Sequence, residues 1–501
     1  MNTMMLYVRM TIMMFINFYT TRVILDALGV DDYGIYNVVG GFVGMFSMIS
    51  GSLSAACSRF INFALGKGEE DYLKKIFSTE LSIQAALAVI VLILCETIGI
   101  WFLNNKMVIP SERLFAANCC FQFSVFNFCV GLMQVPYSAA IIAHERMSAF
   151  AYMSIYDAIM KLLITYLVFI SPFDKLIFYA ALLWINAQIV RAIYAIYCKR
   201  HFEECTFHFS FDKPLAREIF SFSSWNFIGA SSNVLRSQGN NILLNLFFGP
   251  AVNAARGIGN KIYNTAGGLV YNFIVAINPQ ITQSYSSGDY AYLYKLIFKG
   301  ARLSFYLMLF MAIPLVINAN YILNIWLVEV PDEAVLFGQL SFVFALVKVL
   351  SNPLITAQLA TGRIKKYQLI VGGLQMMNLP FSYVCLKCGC IPQCVVIVAI
   401  CFELVSLAVR VILLREMIGL DAIAYVREVL LNVTIVSMVA VPIPAIIGYY
   451  MDESLLRLLY TTIVGIICAG VSILYVGCKQ DERQMILGKI QKTIKKATRF
   501  Q

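Results

Sequence analysis

Of 501 residues, 60% are hydrophobic and only 13% charged, with a formal charge of +10. Apolar runs long enough to cross a bilayer recur to the end of the chain, which marks a polytopic membrane protein. The fourteen cysteines lie mostly inside those runs, where cysteine acts as a small hydrophobe, so they do not point to a disulfide scaffold.

The first apolar run is about as long as a full span and no small-residue cleavage site follows it, so it is expected to stay and insert. Apolar windows of about 20 residues predict fourteen helices, at 5–28, 33–63, 77–103, 113–136, 151–171, 176–198, 219–248, 252–284, 301–327, 334–360, 368–387, 393–414, 429–449 and 455–477. The fold class expected is therefore all-α integral membrane. Connections are short, and the longest, Lys199 to Glu218, could not house a soluble catalytic domain.

Between helices one and two, TRVILDALGVDDYGIYNVVGG (21–41) sets one arginine and three aspartates among apolar residues. Arg22 and Asp26 are four apart on one helical face and suit a local ion pair. Asp31 or Asp32 suits the N-cap of helix two, where a carboxylate accepts free backbone N–H groups. GGFVG at Gly40 to Gly44 suits close helix packing.

Charges inside the spans are mostly basic: Arg9, Arg22, Arg59, Lys161, Arg191, Arg236, Arg256, Lys261, Lys348 and Arg410, against Glu80, Glu96, Asp157 and Glu403. Each costs about 2.5 to 3.5 kcal/mol near the bilayer centre, so such groups line a wet cavity, pair, or snorkel to an interface. Arg9, Arg191 and Arg410 lie near one end of their helices and are expected to snorkel. Arg59 divides evenly between snorkelling and ligand contact. Asp157 and Lys161 repeat the i,i+4 spacing, which fits a structural pair or an ion-coupling site.

Helices seven and eight carry organised polarity. Asn226, Asn233, Ser237 and Asn240 share one face of helix seven, flanked by Arg236. Asn253, Asn260, Asn264, Gly267, Tyr271, Asn278 and Thr282 share one face of helix eight, with Arg256 at its edge and Lys261 nearby. Amides, hydroxyls and a few cations suit sugar hydroxyls and a diphosphate, since arginine can grip phosphate oxygens bidentately. The alternative is that small and amide residues glue helices together.

Lys and Arg orient the bundle. With a cytoplasmic N-terminus, sixteen fall in inner segments, among them Lys74, Lys75, Arg146, Lys199, Lys295, Arg363 and Lys365, and seven more in the tail. The outer segments hold about five. The tail from Lys479 sets Leu487, Ile490, Ile494 and Ala497 on one helical face among lysines, which fits an interfacial helix or a solvated basic tail.

An internal repeat organises the chain. A shift of 220 superposes Gly29 on Gly249, Gly68 on Gly288, Tyr72 on Tyr292 and Lys75 on Lys295. A shift of 217 matches Pro136 to Pro353 and Arg146 to Arg363, and at 219 Arg191 meets Arg410. Two six-helix lobes related by a pseudo-twofold along the membrane normal are expected, with two C-terminal helices appended. The boundaries predicted are a first lobe at 1–198, a cytoplasmic linker at 199–218, a second lobe at 219–415, two further helices at 416–477 and the basic tail at 478–501.

With RVILDALGVDDYGIYNVVGG followed by SAACSRF, this twelve-plus-two architecture resembles the polysaccharide-repeat-unit flippases of the multidrug/oligosaccharidyl-lipid/polysaccharide exporter superfamily, over essentially the whole chain. The motifs are loose ones. The resemblance implies movement of undecaprenyl-diphosphate-linked oligosaccharide across the bacterial cytoplasmic membrane, for surface polysaccharide such as O-antigen or capsule. It implies membrane lipids and a polysaccharide polymerase as partners, with both termini cytoplasmic. The family's short basic segment before helix one is missing, since only MNTMM precedes Leu6, so the natural start is expected upstream.

The substrate-binding candidates are Arg236, Arg256, Lys261, Asn233, Asn240, Asn253, Asn260, Asn264 and Arg59, and the ion-coupling candidates are Asp157 and Lys161. No catalytic residue, cofactor, metal or nucleic-acid partner is predicted. The cluster CLKCGCIPQC has no histidine or second cysteine pair nearby, and no Walker A motif exists. A cation-coupled multidrug or small-molecule antiporter is the alternative, but it predicts a carboxylate in the first helix, and Leu6 to Leu25 contains none. A polytopic enzyme predicts a long loop with clustered acidic or metal-binding residues, which the chain lacks.

Overall fold

A computed structural model of the protein describes residues 2–67, 70–144, 146–206, 212–361, 363–478, 480 and 483–484. The basic tail beyond Gln484, His208, and the side chains of Arg9, Arg59, Asn226 and Tyr271 lie outside the described residues. Within those residues the chain is helical with no strand. A span through hydrocarbon must satisfy its backbone amides internally, and a helix does so within one segment.

The opening helical stretch, Asn2–Gly44, is broken at Gly29, whose φ of 78° and ψ of 173° no helix contains. Residues 2–28 form α1. Helix α2 takes residues 30–67 and bends at Met45 and Phe46, where the flanking helices diverge by 47°. There follow α3 (Asp71–Asn105), α4 (Ser111–Ala143), α5 (Ser148–Phe169) and α6 (Lys175–His201). Helix α7 covers residues 213–248, in which Lys213–Val234 and Asn240–Phe248 flank a five-residue π-turn, Leu235–Gly239. Helix α8 is Pro250–Ser286. The rest are α9 (Tyr290–Ile317), α10 (Ala334–Ala360), α11 (Lys365–Lys387), α12 (Cys394–Ile418), α13 (Ala422–Tyr450) and α14 (Leu455–Gly477).

Ten helices among the described residues are long and apolar enough to cross a membrane, or eleven with the bent pair at Gly44 and Ser47. Helices α7 and α8 are as long, but they carry the asparagines and arginines that the sequence singled out. Helix α9 begins eleven residues before the predicted start at 301, at Tyr290. Lys295 and Lys299 depress the hydropathy there, but Asp289 caps the helix by accepting from the Tyr292 amide at 3.0 Å. Gly249, aligned with Gly29 by the 220-residue shift, has nearly the same backbone, φ 83° and ψ −172°, between α7 and α8. Only glycine takes this conformation without strain.

The chain divides into two compact units. One comprises Met1–Ile258, Trp326–Ala334 and Gln368–Val398; the other comprises Gly259–Ile325, Val335–Tyr367 and Ala399–Gln501. In the first, α4 packs on α6, the Asn2–Gly44 stretch on α5, and α2 on α7. Leu53, Cys57, Ile61, Ile76, Ile83 and Ile219 form one core, and Phe77, Tyr137, Ala140, Met153 and Tyr194 another. In the second, Val270, Ile297, Leu309, Leu350, Leu414 and Val436 form a single core.

Two clusters of buried or half-buried charges are paired inside these units. Arg410 does not snorkel: its side chain is 3% exposed and reaches Glu403 and Ser351 at 2.8 Å each and the Tyr367 hydroxyl at 3.2 Å. Glu403 and Arg410 are seven residues apart, two turns on one face, so the pair closes within α12 and no interface is needed. Asp32 is engaged otherwise than as a helix cap. Arg113, at the start of α4, donates from Nε to Asp32 at 2.7 Å and also grips Asp174, whose Oδ1 accepts from Nη2 at 3.2 Å. Asp174 also caps α6, accepting from the Leu176 and Ile177 amides at 3.0 and 3.2 Å. One guanidinium fork thus ties α2, α4 and the start of α6.

Burial works to raise the Asp174 carboxyl, but the Arg113 hydrogen bonds and the two backbone amides outweigh it and hold the group below the usual carboxylate range. A depressed folded-state value stabilises the fold fully above the unfolded value of about 3.9 and ceases to do so as pH falls through the folded value. Thermal unfolding of the wild type and Asp174→Asn in nanodiscs is expected to show a stability gap that is constant from neutral to mildly acidic pH. The gap should shrink below about pH 4; a gap that persists unchanged at the acid end would contradict the clasp.

Candidate functional site

The cations and amides of α7 and the first turns of α8 meet within the first unit, around Arg256. A π-turn interrupts the regular backbone ladder and leaves carbonyls short of a donor. Arg256 supplies one, donating from Nη1 to the Ser237 carbonyl at 2.9 Å and also to the Asn241 side chain. The Asn241 amide in turn donates to Gln238 Oε1 at 2.9 Å. Arg256 is only 5% exposed, and its Nε has no hydrogen-bond partner among the described residues. The like charge of half-buried Arg236 acts on it.

Helix α2 closes over this cluster through its glycines. A methyl on Gly41 would stand 2.8 Å from Gln238 Oε1, and one on Gly44 3.4 Å from Gln238 Nε2. The GGFVG segment therefore serves as the packing surface that its composition suggested. On α8, a methyl at Gly257 would meet the Asn37 amide at 3.2 Å. Further along α7, Asn240 is 2% exposed and donates to Asn378 of α11 at 3.1 Å. Asn245, fully buried, pins Val108 by accepting from its N–H at 2.9 Å and donating to its carbonyl at 3.2 Å.

The residues singled out in the sequence are distributed as follows. Arg236, Arg256 and Asn240 belong to this cluster or its edge. Asn253 is buried and donates to the Gly249 carbonyl at 3.3 Å, inside its own helix start. Asn233 is exposed on α7. Asn260, Lys261 and Asn264 lie in the second unit, the first two half-buried and the third exposed. There Asn278 accepts from Thr356 at 2.8 Å. Arg59 is on α2, its side chain outside the described ones.

Asp157 and Lys161 pair at 2.6 Å, and the second oxygen of Asp157 accepts from Asn186 at 2.8 Å. Both carboxylate oxygens are thus engaged. Asn37, Gln238, Asn241 and Asn378 were not singled out in the sequence. The glycines opposite them, Gly41 and Gly257, were the available signal, because a glycine inside a helix marks a close approach.

Residues 1–285 match the family described as "Polysaccharide biosynthesis protein". The chain belongs to that family. The membrane protein EpsK of Bacillus subtilis (strain 168), itself uncharacterized, is 22% identical over 319 residues, 62% of this chain and 62% of the relative. The chain thus spans less than two thirds of that relative's length. Among solved structures, the lipid II flippase MurJ in an inward closed conformation superposes with a TM-score of 0.63 at 11% identity, covering 94% of this chain and 97% of MurJ. An inward-facing multidrug resistance MATE transporter superposes with a TM-score of 0.62 at 14% identity, covering 82% of this chain and 98% of that one. The all-α membrane fold drawn from the sequence is that of the structure, and the matched family is one of polysaccharide biosynthesis, as the sequence suggested.

The packing of α2 against the start of α8 yields a direct test. A methyl on Gly34 would lie 2.6 Å from the Pro250 carbonyl carbon and closer still to its oxygen, and backbone cannot yield as a side chain can. Gly40, on the same helix, has nothing within 4 Å of an added methyl. Gly34→Ala is expected to lose roughly 1–3 kcal/mol or more, read as a fall in unfolding temperature and in folded yield, with Gly40→Ala near wild type. Equal stability of the two variants would refute the close approach.

Proposed function

We propose that the protein flips undecaprenyl-diphosphate-linked oligosaccharide repeat units from the inner to the outer leaflet of the bacterial cytoplasmic membrane by alternating access, supplying surface polysaccharide such as O-antigen or capsule. The observation that carries the reading is the match of residues 1–285 to a polysaccharide biosynthesis family, in a chain with the fold of a lipid II flippase. On this reading it is a transporter, not an enzyme. Both termini are cytoplasmic, the partners are the lipid-linked oligosaccharide and bilayer lipids, and a polysaccharide polymerase acts on the exported unit.

An anionic diphosphate leaving the headgroup region must shed water, and fixed cations offset part of that cost. Arg236, Arg256 and Lys261 are assigned to the diphosphate and Arg59 to its entry. Asn233, Asn240, Asn253, Asn260 and Asn264 are assigned to sugar hydroxyls. Because Arg256 is buried and bound to Ser237 and Asn241 here, its engagement with cargo requires α7 and α8 to part. The two repeat lobes, 1–198 and 219–415, are taken as the moving halves, with 416–477 as accessory helices. The likeness to MATE transporters supports a second reading, a cation-coupled multidrug antiporter.

Substitutions separate the two readings. Arg236→Ala with Arg256→Ala should abolish polysaccharide export in cells at normal protein level, while Arg236→Lys, which keeps charge but loses the fork, retains part of it. Drug susceptibility should not change. Full export by the double variant would refute the headgroup site, and drug sensitisation with normal polysaccharide would favour the antiporter.

A further inference from the structure

Glu80 stands apart from every other buried charge described above. It lies about ten residues from the start of α3, roughly 15 Å along the axis, and is 0% exposed. Among the described residues, neither carboxylate oxygen has a hydrogen-bond partner. One turn on, the Gln84 amide is equally buried and equally unpartnered at both its oxygen and its nitrogen. The Ser223 hydroxyl of α7 is a third buried, unpartnered group. By contrast, Glu403 has Arg410 and Ser351, and Asp157 has Lys161 and Asn186. An ionised carboxylate without donors is strongly disfavoured in a low-dielectric interior, so Glu80 must carry a proton or take a cation.

The surroundings favour the proton. Among the described residues, Cys57 of α2 faces Glu80 and brings no positive charge. Residues 203–205, packed on α3, add Glu203 and Glu204, which are engaged by Lys74 at 3.8 Å and His144 at 2.5 Å, and Asp212 at the start of α7 donates its amide to Thr79 at 3.4 Å. The same core receives Ala139 from α4 and Leu215, Ala216 and Ile219 from α7, all apolar. A metal cation would need several converging oxygens, and among the described residues no group of three or more His, Cys, Asp or Glu is placed to hold one.

A cavity lies close at hand. Glu80, Gln84 and Leu87 follow one another along a single face of α3. Leu87 lines a cavity of about 170 Å³ with Ile49, Ser52 and Leu53 of α2 and Phe220, Ser223, Ser224 and Phe227 of α7. That volume has room for several waters at roughly 30 Å³ each; Ser223 offers a hydroxyl with no partner among the described residues, while Ser52 and Ser224 donate to the Ile49 and Phe220 carbonyls and keep oxygen lone pairs to accept with.

We propose that Glu80 is a proton-binding site, loaded in this conformation and unloaded when α2, α3 and α7 separate enough for cavity water to reach it. On unloading, the carboxyl O–H bond breaks, its electron pair stays on the carboxylate, and the proton passes to water. Loading thereby stabilises the closed packing of these three helices and deprotonation opens it, a linkage that holds whatever the cargo is. It places ion coupling on Glu80 and leaves Asp157 with Lys161 as a structural pair.

The test uses the full chain reconstituted in nanodiscs, with two readouts that need no cargo. Infrared spectra at neutral pH should contain a protonated-carboxyl carbonyl band that Glu80→Gln removes and that alkaline titration abolishes. As the band disappears, alkylation of Cys57 by N-ethylmaleimide, normalised to exposed Cys390, should rise in the wild type and stay low in Glu80→Gln. If Glu80→Gln does not accumulate, Glu80→Asp should shift the band. A wild type without the band, or a band indifferent to substitution at Glu80, overturns the proposal. Loss of the band on adding sodium chloride at constant pH assigns the site to sodium instead. Cys57 alkylation indifferent to the titration removes the linkage.

Discussion

Hydrocarbon offers no hydrogen-bond partners, so a chain crossing it must satisfy its backbone amides and buried charges from within. Helices meet the first demand automatically. The second decides where this chain can place an arginine or a carboxylate, and each solution has a structural consequence. Arg410 and Glu403 neutralise each other inside α12, with Ser351 joining from α10. Arg113 neutralises itself against two aspartates and in doing so fixes the relation of three helices at one end of the first unit. Arg256 instead donates to a carbonyl and an amide oxygen, with Arg236 acting on it as a like charge. No carboxylate is among the described bonds of this guanidinium, which is why the proposed function assigns it to a diphosphate.

Local irregularity and polarity go together in α7 and α8. The π-turn at Leu235–Gly239 coincides with the residues that Arg256 and α2 contact, and a glycine stands at each close approach, Gly34, Gly41 and Gly257. A regular, wholly apolar α7 would pack more tightly but would leave no carbonyl for the guanidinium. Glu80 lies where α3 meets the same α2 and α7, so the proton site and the cation cluster share two of their helices within one unit.

Features carried by local spacing were legible in the sequence. Hydropathy located the helices, and the four-residue interval of Asp157 and Lys161 gave their ion pair. The repeat offset paired Gly29 with Gly249, which share a conformation only glycine tolerates. Features made by distant segments were not. Arg113 is 81 residues from Asp32 and 61 from Asp174, so Asp32 stood beside Asp31 only as a candidate helix cap. Arg410 read as snorkelling because its distance to the helix end was weighed and the glutamate two turns before it on the same face was not. The start of α9 was misplaced because lysines mask a capped helix from hydropathy. Asn241, Gln238 and Asn378 could not be ranked above other amides, since their importance depends on which helices come to face them.

On the proposed function, the cargo is a lipid-linked oligosaccharide. The most direct measurement of this is deletion of the encoding gene in its native bacterium, followed by analysis of lipid-linked intermediates and the leaflet they occupy. The account predicts accumulation of undecaprenyl-diphosphate-linked repeat units on the cytoplasmic leaflet together with loss of surface polysaccharide. Unchanged levels of these intermediates on both leaflets, with surface polysaccharide intact, would contradict it.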